Sequence, residues 1–279
     1  MADPALAHVQ PGAAPGGAVG RQERAIYPVL FRIGEFEVTS FGVLVAVAAI
    51  VGIWLFQREL RASRLPENAV DAGMAGAIGG MVGAKVAWAI EHAGVEPFLD
   101  LLLSRGGLSW FGGLAGGLIA GLVLMRRRRL PVVAVLAAAT PALALGHAIG
   151  RIGCFLVGDD YGLPSSLPWA VAFPEGLPPT SERVHPTQLY EAVPLVFLAL
   201  VLIRWRRAGV TDRLILGRYL LLAGSLRFAI EFLRVHEPFV GGLAVAHVAS
   251  LAVAFMGIGL LLTQRRPVYP TGGPASTSR

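Results

Sequence analysis

The sequence predicts an all-α, polytopic membrane protein with about seven transmembrane helices, an N-terminus outside and a cytoplasmic C-terminus. The first observation is composition: 54% of the 279 residues are hydrophobic and 15% are charged, whereas soluble domains carry about 25% charged residues. The second is glycine spacing, since Gly76/Gly80 and Gly79/Gly83 have the Gly-x-x-x-Gly separation that lets membrane helices pack closely. The third is that arginine clusters follow every second apolar segment.

Seven apolar segments are long enough to cross about 30 Å of hydrocarbon at about 1.5 Å per residue. They are predicted at 38–56, 69–90, 106–125, 131–157, 186–203, 214–233 and 241–262. Pro141 is expected to kink the fourth segment, because proline cannot donate a helical hydrogen bond. A short re-entrant or interfacial piece is expected at 97–103.

The segments form a single predicted transmembrane domain at 26–265, which includes an outer loop at 158–185. The tails at 1–25 and 266–279 are rich in small residues and proline. Such segments bury too little apolar surface to order themselves, so both tails are predicted to be disordered. A single cysteine excludes an internal disulfide.

The arginines set the predicted orientation. Loops after the first, third, fifth and seventh segments carry Arg58, Arg61, Arg64, Arg126 to Arg129, Arg204, Arg206, Arg207, Arg213, Arg265 and Arg266. The other three loops carry Arg105, Arg183 and Arg234. Because cytoplasmic loops hold the excess of cations, the 158–185 loop is predicted to face outward. The same clustering at segment ends argues against a nucleic-acid surface, despite a net charge of +6.

Arg151 is the first candidate for a functional residue, because it lies inside the fourth apolar segment. An arginine at that depth costs about 2.5–3.5 kcal/mol on insertion scales and should have a polar partner or a function. His147 lies one helical turn before it, and Asp159 and Asp160 follow the segment.

A second polar group lies in the sixth segment, where Arg227, Glu231 and Arg234 share one helical face. Two arginines from different helices, held by carboxylates, make a clamp suited to the oxygens of a phosphate group. The alternative is a set of structural ion pairs. A polar strip of His185, Gln188 and Glu191 opens the fifth segment, and part of it is expected to face a cavity.

Five motifs, in order along the chain, carry a resemblance to a known family. They are GGLSWFGG at 106–113, GRIGCFLVGD at 150–159 followed by Gly162, LPWAVAFP at 167–174, HPTQLYE at 185–191 and RFAIEFLR at 227–234. Together they resemble the prolipoprotein diacylglyceryl transferases of bacterial inner membranes, over about residues 27–265.

The resemblance implies a multi-pass inner-membrane enzyme with phosphatidylglycerol as donor and membrane lipid around it. Its acceptor would be the lipobox cysteine that follows a prolipoprotein signal peptide, and glycerol phosphate would be released. Arg151, Arg227, Arg234 and Gly162 are then expected to bind the phospholipid. Asp159 and Glu231 are expected to act in the catalytic site.

Several positions depart from the family pattern. Phe41 replaces a tyrosine, Phe111 a histidine, Cys154 and Val157 two asparagines, and His247 a glutamine. The family's candidate base is therefore missing, and His147 and His185 are the predicted replacements, because an imidazole with a pKa near 6.5 can accept a thiol proton. His147 has a packing role as its alternative, and His247 is read as structural.

Two other functions stay open from the sequence. One is a non-catalytic or regulatory phospholipid-binding paralogue that keeps the arginines without a base. The other is a transferase with a different donor or acceptor, in which Cys154 serves as nucleophile instead of as a packing residue. No cofactor is expected, and without clustered Cys and His ligands no metal site is expected either.

Overall fold

The computed structural model describes residues 29–34, 36–94, 97–104, 109–235 and 241–263. Both predicted tails, 1–25 and 266–279, lie outside the described residues, as does the Arg105 position. The described residues form the following helices: α1 (Ser40–Ala62), α2 (Val70–Glu91), α3 (Phe98–Leu103), α4 (Trp110–Arg127), α5 (Val132–Val157), α6 (Thr187–Arg207), α7 (Asp212–Glu231) and α8 (Val245–Leu262).

The helices confirm a helical membrane protein. Five of them are long and apolar enough to cross a membrane: α1, α2 with the turn before it, α5, α6 and α8. Helices α4 and α7 have 18 and 20 residues, but α4 ends in two arginines and α7 carries five charged residues. The piece expected at 97–103 is the short helix α3.

Two small antiparallel sheets were not predicted from the sequence. Strand β1 (Val29–Ile33) pairs with β2 (Phe36–Thr39), directly before α1. Strand β3 (Val171–Phe173) pairs with β4 (Thr180–Val184) within the predicted outer loop. These strands are three to five residues long, which is too short for their alternating pattern to stand out beside the apolar helices.

The first and last helices begin later than predicted. The first helix begins at Ser40 rather than at 38, because Thr39 is the last residue of β2 and its Oγ1 accepts a hydrogen bond from Gly42 N at 3.1 Å. The last helix begins at Val245 rather than at 241. Gly241 and Gly242 have φ angles of 57° and 80°, which a right-handed helix does not allow.

Glycines allow α2 and α4 to pack backbone against backbone, as the Gly-x-x-x-Gly spacing predicted. A Cβ added to Gly83 would lie 2.4 Å from the carbonyl oxygen of Gly112, and one added to Gly116 would lie 2.3 Å from that of Gly79. Helix α5 is central in the rest of the bundle, because it packs against α1, α6 and α7. Pro141 lies inside α5 and is buried.

A buried ion pair ties the helix ends at the Arg206 end of α6. Arg206 Nε lies 3.1 Å from Glu59 Oε2 of α1, and its Nη1 lies 3.3 Å from Asp212 Oδ1 at the start of α7. The polar residues of the predicted site lie at the other end of α6. Ion pairs therefore tie neighbouring helices together at both ends of α6.

Candidate functional site

The predicted site residues meet where three helices end. Helix α5 brings His147 and Arg151 near its C-terminal end, α6 brings Glu191 in its second turn, and α7 brings Arg227 and Glu231 in its last turns. The segment after α5 closes over this end, because Gly158 takes a left-handed φ of 69° and ends the helix.

Arg151 is buried, with 7% of its surface exposed, and it has carboxylate partners on two sides. Its Nε lies 2.9 Å from Oε2 of Glu191, which is only 2% exposed. Its Nη1 donates a hydrogen bond of 2.9 Å to Oδ2 of Asp160. The prediction that Arg151 has a polar partner is therefore confirmed.

Asp160 joins Arg151 to the residues of α7. Its Oδ1 accepts a 2.5 Å hydrogen bond from Nη2 of Arg234. Nε of Arg234 lies 3.8 Å from Oε2 of Glu231, and the same oxygen lies 2.6 Å from Nη1 of Arg227. The result is a continuous ionic chain, which runs through Glu191, Arg151, Asp160, Arg234, Glu231 and Arg227. His147, which is charged only when protonated, lies at its Glu191 end.

The ionic chain does not use every hydrogen-bond donor of Arg151. Nη2 of Arg151 is buried and makes no hydrogen bond within the described part of the chain. A buried guanidinium nitrogen without a partner costs free energy, so an acceptor oxygen at this point would stabilise the site. Phosphate oxygens match guanidinium donors in charge and geometry.

The two aspartates after α5 have opposite environments. Burial raises the pKa of Asp159, whose side chain hydrogen-bonds Cys154, a contact that acts in the other direction. Burial also disfavours the charged form of Asp160, but Arg234 and Arg151 outweigh it and hold the pKa of Asp160 below its usual value. The surroundings therefore favour the charged form of Asp160 more than that of Asp159.

Gly162 fixes the loop onto the end of α7. Its N–H donates to the carbonyl oxygen of His185 at 2.9 Å, and Leu163 N donates to Leu233 O at 2.8 Å. A Cβ at position 162 would lie 2.4 Å from Leu233 O and 2.9 Å from His185 Cβ. Only glycine fits this close approach, which places Asp160 within reach of Arg234.

His185 lies in a separate contact group from the ionic chain. Its Nδ1 is 3.3 Å from the hydroxyl of Tyr190, which accepts a 2.7 Å hydrogen bond from Trp169 Nε1. His147, in contrast, has its Nε2 3.6 Å from Glu191 Oε1. The structure thus brings together five of the predicted site residues, which are His147, Arg151, Arg227, Glu231 and Arg234, and His185 is not among them.

Two members of the ionic chain, Glu191 and Asp160, were not assigned a site role from the sequence. The strip of 185–191 predicted that polar side chains enter the interior, and both Gln188 and Glu191 are buried. Nε2 of Gln188 donates to Asp159 O at 2.5 Å, and Thr187 Oγ1 donates to Asp160 O at 2.9 Å. The partner of each residue lies on a different element, which no local spacing reveals.

The positions that depart from the family pattern fill apolar or local roles. A Cβ on Gly153 would lie 3.2 Å from a ring carbon of Phe41, so Phe41 packs on α5 beside the site. Cys154 hydrogen-bonds Asp159, and Val157 is buried. His247 is buried against Phe228 and Phe232, and its Nδ1 accepts a 3.1 Å hydrogen bond from Ala244 N. The Phe111 side chain lies outside the described residues.

One cluster has ligand atoms at a spacing that suits a metal ion. One atom each from Cys154, Asp159 and Asp160 lie within 4.8 Å of one another. Both carboxylate oxygens of Asp160, however, already accept hydrogen bonds from arginines. A cation at this point would face the repulsion of Arg151 and Arg234.

Comparison with known proteins gives a consistent result over most of the chain. A family model described as prolipoprotein diacylglyceryl transferase matches residues 28–263. A protein of Synechococcus elongatus is 34% identical, over 84% of this chain and 86% of its own length. Proteins of Chromohalobacter salexigens and Rhodospirillum rubrum are 34% and 32% identical, over 86% and 89% of this chain and 93% and 97% of their own lengths. All three are named phosphatidylglycerol–prolipoprotein diacylglyceryl transferase.

Proposed function

The chain belongs to the prolipoprotein diacylglyceryl transferase family, and on this premise we propose a function for its site. The protein is a transferase that moves a diacylglyceryl group from phosphatidylglycerol to a prolipoprotein. The acceptor atom is the thiol sulfur of the lipobox cysteine, next to the signal peptide. A thioether forms there and glycerol phosphate leaves.

The observation that carries the proposal is the buried Arg151, whose Nη2 lacks a hydrogen-bond partner within the described residues. A phosphate oxygen of phosphatidylglycerol supplies that partner. The guanidinium group then faces negative charge that grows as the glycerol phosphate departs. Preorganised donors of this kind stabilise a transition state because they need no reorganisation during the reaction.

Arg227 and Arg234 complete the phospholipid site from the α7 side. Glu231 lies 2.6 Å from Arg227 and 3.8 Å from Arg234, so one carboxylate orients both side chains. Its catalytic contribution is therefore to hold these cations toward the phosphate. Gly162 contributes by the close approach of its backbone to Leu233, which sets the loop against the arginines.

Asp159 and the two histidines are the groups available for proton transfer. Asp159 keeps its hydrogen bond to Cys154 and stands where the family has a glutamate. His147 and His185 are the candidate bases for the acceptor thiol. Their surroundings differ, because His147 lies next to Glu191 and His185 next to Tyr190.

The helices and the arginine clusters support the membrane arrangement proposed next. Helices α4 and α7 join the five apolar helices to give seven crossings, with the N-terminus outside and the C-terminus in the cytoplasm. In this arrangement Arg206 lies on the cytoplasmic side and the site lies on the outer side of the bacterial inner membrane. Phosphatidylglycerol and an exported prolipoprotein meet at that level.

Complementation tests the function directly. The gene is expressed in a strain depleted of its own diacylglyceryl transferase, and lipoprotein processing is followed by a gel shift. Wild-type protein is expected to restore growth and the mature band. Absence of processing by a well-expressed, membrane-inserted protein would contradict the proposal and favour a lipid-binding paralogue.

A further inference from the structure

One contact at the end of the ionic chain joins an imidazole to a buried carboxylate. His147 Nε2 lies 3.6 Å from Glu191 Oε1, and the other oxygen of Glu191 lies 2.9 Å from Arg151 Nε. Glu191 is almost fully enclosed, whereas 48% of the His147 side chain is exposed. A single carboxylate thus holds both the arginine and a histidine that a substrate can reach.

The spacing of His147 and Arg151 suits the geometry of the transfer. They are one helical turn apart on the same face of α5, which places their Cβ atoms about 5–6 Å apart. In the transfer step the attacking sulfur and the phosphorus are separated by one carbon and one oxygen. A base at 147 can therefore contact the thiol while Arg151 contacts the phosphate.

We propose that His147 and Glu191 form the proton-accepting pair of the transfer reaction, with His147 as a catalytic residue and Glu191 as its positioning residue. This inference rests on the proposed function. Glu191 faces Nε2 and favours the tautomer with the proton on that nitrogen, so Nδ1 is the atom that accepts the thiol proton. Contacts of this kind shorten when substrate binds, and 3.6 Å is within the range of such an adjustment.

The lipobox S–H proton moves to Nδ1 of His147, and the sulfur attacks the carbon of the diacylglyceryl group that is bonded to the phosphate ester oxygen. An S–C bond forms and the C–O bond breaks, so the electron pair of that bond leaves on the oxygen of glycerol phosphate. No oxidant or reductant takes part, and the imidazolium returns its proton to solvent or product.

Three charged groups face His147: Glu191 from α6, Arg151 from its own helix and Arg227 from α7. Both arginines oppose a positive charge on the imidazole, and Glu191 is the group that offsets them. Without Glu191 the imidazolium that forms in the reaction would face Arg151 and Arg227 without the carboxylate that offsets them. Glu191 is thus required for proton acceptance as well as for the position of Arg151.

His185 offers no such arrangement. Its Nδ1 contacts the Tyr190 hydroxyl, and its backbone carbonyl accepts from Gly162, which are contacts that orient the loop. The thiol of Cys154 is engaged with Asp159. His147, in contrast, has a carboxylate partner, Glu191.

The first experiment measures transfer to a prolipoprotein peptide at saturating phosphatidylglycerol over a range of pH. We expect His147→Gln to lower kcat by about 10²- to 10⁴-fold, the usual contribution of a positioned base. A fall in rate at acidic pH is expected for the wild type, and the variant should lose it. His185→Gln should keep the wild-type pH profile. His92→Gln, at the exposed end of α2, is the matched control for loss of a histidine.

The second experiment separates positioning from a structural role. Glu191→Gln should move the acidic limb of the rate profile to lower pH. The His147→Gln/Glu191→Gln double variant should lose less kcat than the product of the two single losses, because both side chains act on one proton transfer. A Glu191 that acted through Arg151 alone would instead give effects on kcat that multiply.

Titration of histidine-labelled protein by NMR gives a readout that needs no turnover. The midpoint for His147 should move to lower pH in Glu191→Gln, because the variant removes the carboxylate that favours the imidazolium. An unmoved midpoint, or His147→Gln with wild-type kcat and pH profile, would overturn the proton-accepting pair. A wild type that transfers no lipid while its His147 titration responds to Glu191→Gln would refute the proposed function and the base role, but leave the pairing intact.

Discussion

Asp160 is the carboxylate that joins the α5 and α7 halves of the ionic chain, so Asp160→Asn tests whether that connection stabilises the fold. Asparagine keeps the shape of the side chain and tolerates the positive φ of 58° found at this position. The substitution therefore removes one charge without changing the backbone. Its partners keep other carboxylates, since Arg151 retains Glu191 and Arg234 retains Glu231.

The expected loss follows from two contacts, at 2.9 Å to Arg151 and at 2.5 Å to Arg234. A hydrogen bond to a charged group contributes about 1.5–3 kcal/mol when it is buried. Because the Asp160 side chain is 46% exposed, solvent screening reduces the pair to about 2 kcal/mol in total. At about 2–4 °C per kcal/mol, the unfolding midpoint should fall by about 4–8 °C.

The effect should depend on pH in a defined direction. The folded-state pKa of Asp160 is held below its ordinary value, so its stabilising contribution is complete above the unfolded pKa of about 3.9. It is lost as the pH falls through the lower folded-state pKa. The difference between wild type and Asp160→Asn should therefore be full at pH 7 and should disappear as the pH falls below about 4.

Thermal unfolding in detergent at pH 7 and pH 3 is the assay, with Glu182→Gln as the control for loss of an exposed carboxylate. The control should unfold with the wild type at both pH values. Equal midpoints for Asp160→Asn and wild type at pH 7 would refute the bridging role. A difference that persists unchanged at pH 3 would refute its electrostatic origin.

Three further predictions concern binding and packing. Arg151→Ala should lose co-purifying phosphatidylglycerol. Arg151→Lys should keep only part of it, because lysine has the charge but not the fork of donors that binds phosphate. If mass spectrometry finds the lipid on folded Arg151→Ala protein, the phosphate site is contradicted. Gly162→Ala should destabilise the protein by about 1–3 kcal/mol through overpacking. Gly150→Ala should not, because an added Cβ there has no neighbour within 4 Å. Equal thermal unfolding midpoints for the two variants would argue against the close approach at Gly162. Gly83→Ala should lower the thermal unfolding midpoint by forcing α2 and α4 apart. The control Gly259→Ala should not, because an added Cβ there also has no neighbour within 4 Å. An unchanged midpoint for Gly83→Ala would show that the fold does not depend on the backbone contact between α2 and α4.

The helices could be predicted from the sequence because their signal is long. Apolar runs of about 20 residues and glycines at four-residue spacing specify membrane helices and their packing faces without knowledge of their neighbours. The α2–α4 contact at Gly83 and Gly112 is the direct outcome of that spacing. The short strands and the start of α8 were missed because each depends on two or three residues, such as Gly241 and Gly242.

The polar site could be predicted in part. The depth of Arg151 indicated that it has a partner, but the partner is Glu191 on another helix, 40 residues later in the sequence. Asp160 likewise pairs with Arg234, 74 residues away. Such pairs depend on how helices meet, and one sequence contains no direct record of that. The strip at 185–191 indicated buried polar residues without indicating which cation they face.

The central claim is that this chain uses the buried Arg151, together with Arg227 and Arg234, to transfer a diacylglyceryl group from phosphatidylglycerol. The most direct measurement places purified protein in bilayers of phosphatidylglycerol with a peptide that carries a signal sequence and a lipobox cysteine. Mass spectrometry of the peptide should show the addition of one diacylglyceryl group with wild type, and little or none with Arg151→Ala. A peptide of unchanged mass, with folded wild-type protein that retains phosphatidylglycerol, would contradict the claim.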